Sequence, residues 1–132
     1  NIRIVGDRFV FQSEVIFPSG AAEINEAGKG EMLKLANAII ELAKEIPPEI
    51  NWVLRVDGHT DNVALSGTGK YADNWELSSG RATAVVKYLI ANGVPADRLV
   101  AAGFGEFQPL DTDDTDEAKD KNRRIELKLT EK

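Results

Sequence analysis

Residues 56–81, VDGHTDNVALSGTGKYADNWELSSGR, decide the fold of this chain. A half-apolar strand runs through a polar loop into an amphipathic helix. Trp52, Leu54 and Val56 alternate with Val53, Arg55 and Asp57, the period-2 pattern of a strand with one face on a core. Gly58 lets the backbone turn or approach a neighbour closely, and His59, Thr60 and Asp61 follow at the strand's end. The loop 62–72 contains Ser66, Gly67, Thr68 and Gly69 and reads as surface. From Trp75 the pattern turns helical, with Asp73 and Glu76 at capping-box spacing and Asn74 as the alternative N-cap. Asp61 and Arg81 thus fall where both could line one cleft.

Working outward, Asn25 caps a predicted helix over 26–45, whose apolar stripe is Met32, Leu35, Ala36, Ile39, Ile40 and Ala43 and which Pro47-Pro48 closes. The second helix, 75–91, carries Ala82, Val85, Val86, Leu89 and Ile90, and Asn92-Gly93 supplies a left-handed C-cap. Residues 98–103 form a short strand. Residues 124–129 form another, with Ile125, Leu127 and Leu129 inward and Arg124, Glu126 and Lys128 outward. Residues 117–121 fit a turn of helix. Residues 3–12 read as a hairpin or broken strand around Gly6-Asp7, and Pro18-Ser19-Gly20 as a loop. Alternating strands exclude a parallel sheet covered on both faces. The fold expected is α+β: a two-layer α/β sandwich with a mixed β-sheet, helices packed on one face and water on the other. Residues 1–14 are an N-terminal strand or linker remnant, and 15–132 the domain proper.

A chain of 132 residues suits one domain with a real core. Its 22 acidic residues against 16 basic ones, a net charge of −6, argue against nucleic acid as a partner. One well-placed Arg can still bind an anion. There is no cysteine, so disulfides, thiolate catalysis and Cys-based zinc sites are excluded. No segment is apolar enough to span a bilayer, and Asn1 is no initiator methionine, so the chain reads as a fragment or mature form whose membrane anchor lies elsewhere.

Catalytic signatures are thin: the chain has one histidine, His59, and no HExxH or GxSxG. His59 with Asp57, Asp61 or Ser66 could form a small hydrolytic constellation. The plainer reading is that His59 hydrogen-bonds nearby backbone and holds the loop. A lone His among scattered carboxylates is a poor metal site, and no metal or cofactor is expected. The acidic run Asp111–Asp116, DTDDTD, lacks the glycine and terminal glutamate of a calcium loop and reads as solvated. Asp61 and Arg81 suit recognition: a carboxylate accepts from an ammonium group, while a guanidinium fork engages a carboxylate. The alternative is a mutual salt bridge fastening loop to helix. Arg123 could reach the cleft or be paired by nearby acids, and alternation points Arg124 away from the core. Trp75 reads as core or loop packing rather than a stacking platform.

Five segments in order resemble one family: GHTD at 58–61, NWELSSGRA at 74–82, GVPADRL at 93–99, GFGEFQP at 103–109 and NRRIE at 122–126. Together they are similar to the OmpA-like peptidoglycan-binding domain, and the long loop before Asn-Trp-Glu-Leu-Ser is more similar to the flagellar stator MotB type than to short-loop lipoproteins such as Pal. The resemblance implies a non-catalytic module that grips the meso-diaminopimelate residue of the peptidoglycan stem peptide. By the family's pattern Asp61 matches the ammonium-binding aspartate and Arg81 the carboxylate-binding arginine. Asn74, Leu77, Asn122 and Arg123 match positions that line or support the pocket, and Thr60 contributes through its backbone. The implied setting is the periplasm of a Gram-negative cell, with anchoring to the inner or outer membrane through segments absent here. MotB-like relatives also allow a homodimer of the full-length protein. The competing reading is a cell-wall hydrolase or amidase built on His59.

Overall fold

The structure, a computed structural model, describes residues 2–5, 8–18, 20–66 and 69–131, with 2–5 by backbone alone. Five strands form one mixed sheet in the order β1-β2-β5-β3-β4: β1 Ile2–Val5, β2 Arg8–Gln12, β3 Trp52–His59, β4 Leu99–Gly103 and β5 Arg124–Glu131. Only β3 and β4 run parallel, with Val56 opposite Ala101 and Gly58 opposite Gly103. β5 lies antiparallel between β2 and β3, pairing Val56 with Leu127 and His59 with Arg124. The N-terminal segment is a hairpin joined to the sheet, since β2 pairs with β5 and Phe11 is part of the core. Gly6-Asp7, around which a hairpin or broken strand is expected, Ser19 and Gly67-Thr68 lie outside the described residues.

The two long helices form where the periodicity places them, whereas the first short one carries no such signal. α1 is one turn, Ser13–Ile16, and α2 spans Glu26–Glu45, its N-terminus capped by the Asn25 carboxamide oxygen accepting from Gly28 N at 2.7 Å. α3 spans Asn74–Ala91; Asp73 caps it, accepting from Glu76 N at 2.9 Å, and Gly93 takes a positive φ of 102° beyond its end. A short helix α4, Asp116–Asn122, precedes β5. Met32, Ala36 and Ile39 of α2 and Ala82, Val85 and Leu89 of α3 pack on Phe11, Leu54, Val56, Ile125 and Leu127. Each large apolar side chain buried there contributes about 1.5–3 kcal/mol. Two glycines set how closely α3 approaches the sheet. A Cβ on Gly58 would stand 2.2 Å from the Ser78 carbonyl oxygen, and one on Gly103 2.6 Å from Ser79 N.

The far face of the sheet departs from the expectation of water. Asp57, His59, Arg124 and Glu126 are all buried there. The segment after β4 folds back over them, with Phe104 N donating to Gly58 O at 3.0 Å and Phe104 stacked on the His59 ring. Alternation gave these side chains the correct face, but it could not show that a loop covers it. Among the described residues no helix is long and apolar enough to cross a membrane.

Candidate functional site

A cleft of about 310 Å³ opens at the end of the sheet where β3 runs out. Its wall includes Thr60, Asp61, Asn74, Leu77, Arg81 and Arg123, six of the seven residues singled out from the sequence. β3 delivers Thr60 and Asp61, and the first two turns of α3 bring Asn74, Leu77 and Arg81. The junction between α4 and β5 brings Arg123. α1 is tied to that junction by Ser13 N donating to Arg123 O at 2.9 Å, and this sets Glu14 and Phe17 on the same cleft.

Local bonds hold the cleft open. Asp61 Oδ1 accepts from Val63 N at 3.0 Å, which turns the chain at the start of the polar loop. Asn74 Nδ2 donates to the carbonyls of Asp61 (3.3 Å) and Val63 (3.1 Å), binding that turn to α3. Thr60 N is already committed to Gly105 O at 2.9 Å, and its hydroxyl donates to Asp61 O. Asn122 lies elsewhere. Its Oδ1 accepts from Leu110 N (2.8 Å) and Asp111 N (3.1 Å), so it braces the start of the acidic loop and does not line the cleft.

The charges pair otherwise than expected. Asp61 Oδ2 accepts from Arg123 Nη1 at 2.6 Å, and Arg123 also donates to Glu14 and Asp120. Burial lowers the Arg123 pKa, but its bonds to Glu14 and Asp61 outweigh that and raise it. Arg81 is not a solvent-reached partner of Asp61: it is only 5% exposed. Its Nε donates to Ala21 O (2.8 Å) and its Nη2 to Pro18 O (3.1 Å), and Phe17 lies under the guanidinium at 5.2 Å. Among the described residues no carboxylate forms an ion pair with it. Burial pulls its pKa down, only partly countered by Glu14. The cleft therefore carries on one side a buried cation with no ion-pair partner among the described residues, and on another two carboxylates, Asp61 and Glu14. Sequence reasoning missed Glu14, which lies in the segment read as a strand or linker remnant.

His59 does not face this cleft. It is buried on the far face, and neither ring nitrogen has a hydrogen-bond partner, so it does not hold the loop through backbone bonds as expected. The nearest carboxylate, Glu126, is 3.8 Å away and already engaged by Arg8 and Arg124. Nothing here orients His59 as a general base, so the hydrolase reading has no geometric support. Trp75 packs on the loop, its half-exposed ring 5.0 Å from that of Phe107.

A helix-backed mixed sheet with a charged cleft at the end of β3 makes this an α+β domain built around a candidate binding site. The OmpA family model matches residues 16–123, and the chain belongs to the OmpA family. A crystal structure of a putative MotB-like protein from Desulfovibrio vulgaris superimposes with a TM-score of 0.88 at 30% identity, covering 99% of this chain and 82% of that one. Motility protein B of Bacillus subtilis is 33% identical over 117 residues, 88% of this chain and 42% of that protein. Peptidoglycan-binding protein ArfA of Mycobacterium tuberculosis is 39% identical over 72 residues, 54% of this chain and 21% of that protein. The chain spans about half or less of the length of the curated relatives it matches.

Proposed function

We propose that this domain anchors a larger envelope protein to the cell wall by binding peptidoglycan non-covalently, gripping the zwitterionic end of a meso-diaminopimelate residue in the stem peptide. The observation that carries the reading is Arg81, a buried guanidinium at the cleft with no carboxylate partner among the described residues. A ligand carboxylate would supply the missing counter-charge through a charge-assisted hydrogen bond. The ligand ammonium would sit against Asp61 and Glu14, sharing their oxygens with Arg123. Leu77 and Phe17 give an apolar wall to the methylene chain between the two ends. Thr60 and Asn74 act through the backbone turn they hold, and Asn122 through the loop it braces. Among the described residues the cleft gathers ion-pairing groups on an apolar wall, an arrangement that supports retention of a ligand. The name of the ArfA relative accords with this ligand class. In the same proposal the domain works in the periplasm.

The test is calorimetric titration with a diaminopimelate-containing tripeptide against its lysine counterpart. Lysine lacks the distal carboxylate and would leave Arg81 desolvated and unpaired, a loss of about 2–5 kcal/mol. Equal affinities would refute the assignment.

A further inference from the structure

The far face of the sheet holds a second cavity, of about 380 Å³, that the wall-binding cleft does not use. Its lining includes Arg8, Arg55, His59, Phe104, Arg124 and Glu126. His59 is 3% exposed, and neither Nδ1 nor Nε2 is hydrogen-bonded. A buried ring N–H without an acceptor is costly, and the cavity gives an acceptor from outside the chain room to reach it. The carboxylates nearby are committed to arginines. Arg55 Nε donates to both Asp57 oxygens (2.9 and 3.1 Å), Arg8 Nη1 donates to Glu126 Oε1 at 2.7 Å, and Arg124 Nε donates to Glu126 Oε2. Arg55 spends only its Nε on this, and its two terminal nitrogens make no hydrogen bond within the described chain. Phe104 stacks on His59 at 5.0 Å and lies 5.9 Å from the Arg55 guanidinium, so one ring holds both donors at the cavity.

The sign of a ligand that this cavity could hold follows from charge. Asp57, His59 and Glu126 could bring ligand atoms within 4.8 Å of one another, as a metal ion would need. A cation there would face three guanidinium groups and only two carboxylates, both already bonded. An anion would meet the opposite field. His59 feels that field: burial first, then Arg124, hold its pKa down at about 4, with Arg8 and Arg55 adding to the effect and Glu126 opposing it.

We propose that the cavity under Phe104 binds a small oxyanion, the phosphate or carboxylate group of a ligand, through the terminal nitrogens of Arg55 and a ring N–H of His59. Arg8 and Arg124 supply charge, and their own bonds keep Glu126 in place.

His59 is the chain's single histidine, so the ring signals of histidine-labelled protein report this site alone. The experiment titrates the protein with inorganic phosphate and, separately, with acetate, each against sodium chloride at matched ionic strength. A saturable shift of the His59 ring signals with half-saturation below about 10 mM is expected in at least one oxyanion arm. The tighter arm tells a phosphoryl from a carboxylate ligand. Arg55→Lys keeps a charge for Asp57 but loses the fork, and should weaken the response about tenfold; Arg55→Gln provides a second variant should the first misfold. Asp61→Ala should leave the response unchanged, which separates this site from the wall-binding cleft. No saturable shift in wild type, an equal response to chloride, or an undiminished response in a folded Arg55 variant would overturn the proposal.

Discussion

Asp61 and Arg81 line the same cleft without bonding to each other: Asp61 is held by Arg123 at 2.6 Å, while Arg81 is spent on the carbonyls of Pro18 and Ala21. The two residues therefore play unequal structural parts. Asp61→Ala removes a partly solvated pair, and stability should change by about 0–1 kcal/mol. Arg81→Ala strands two carbonyls, opens a void beside Phe17 and should cost about 2–4 kcal/mol. Both should lose binding to purified sacculi. Urea midpoints measured beside sacculus retention separate the effects, and an Asp61→Ala protein that unfolds early yet still binds would make that residue scaffolding.

Glu14 is the second carboxylate of the cleft, and more exposed than Asp61. If the ligand ammonium is shared between them, Glu14→Gln should weaken binding of a diaminopimelate tripeptide about tenfold, or about 1.4 kcal/mol, and scarcely move the urea midpoint. Calorimetry is the check. An unchanged affinity would leave Asp61 as the sole ammonium partner.

Both long helices, their caps, and the strands β3, β4 and β5 were legible because period and capping residues are local signals. The cleft was legible through its motifs, which put Asp61 and Arg81 together. Partner choice was not. Sequence spacing cannot tell whether Asp61 meets Arg81 or Arg123, because that depends on how the α4–β5 junction sits over β3. Glu14 was invisible for a related reason: its approach to the cleft depends on α1 docking on Arg123 O. The far-face cluster looked like a wetted row in an alternating strand. Only the return of Phe104 across the sheet buries it.

That cluster predicts a pH effect. The unfolded His59 ring takes up a proton below about 6.5, and the folded ring only near about 4. Between those values the unfolded state binds the extra proton, so the neutral ring's contribution is intact above about 6.5 and is lost as pH falls towards 4. The full loss is about 3 kcal/mol. His59→Phe keeps an aromatic ring to stack on Phe104 and removes the titration, so its urea midpoint should fall less than that of wild type across the same window. Parallel curves for the two proteins would show that other groups carry the acid sensitivity.

Glycine-to-alanine changes should have opposite signs at two positions. Gly30 lies in α2 with nothing within 4 Å of its would-be Cβ, so Gly30→Ala relieves the helix of a poor former and should stabilise by about 1 kcal/mol. Gly58 lies in β3, an interior strand, and its Cβ would meet the Ser78 carbonyl at 2.2 Å. That neighbour is helix backbone, which no rotamer change can clear. α3 must retreat from β3, and a rigid shift would carry Asn74, Leu77 and Arg81 away from Asp61. Gly58→Ala should therefore cost about 3 kcal/mol or more and lower sacculus binding even in the molecules that stay folded. Urea melts of the two variants, with sacculus retention measured well below the midpoint, decide it. A Gly58→Ala protein with wild-type midpoint and wild-type retention would mean that the tight contact between α3 and the sheet does not set the cleft geometry.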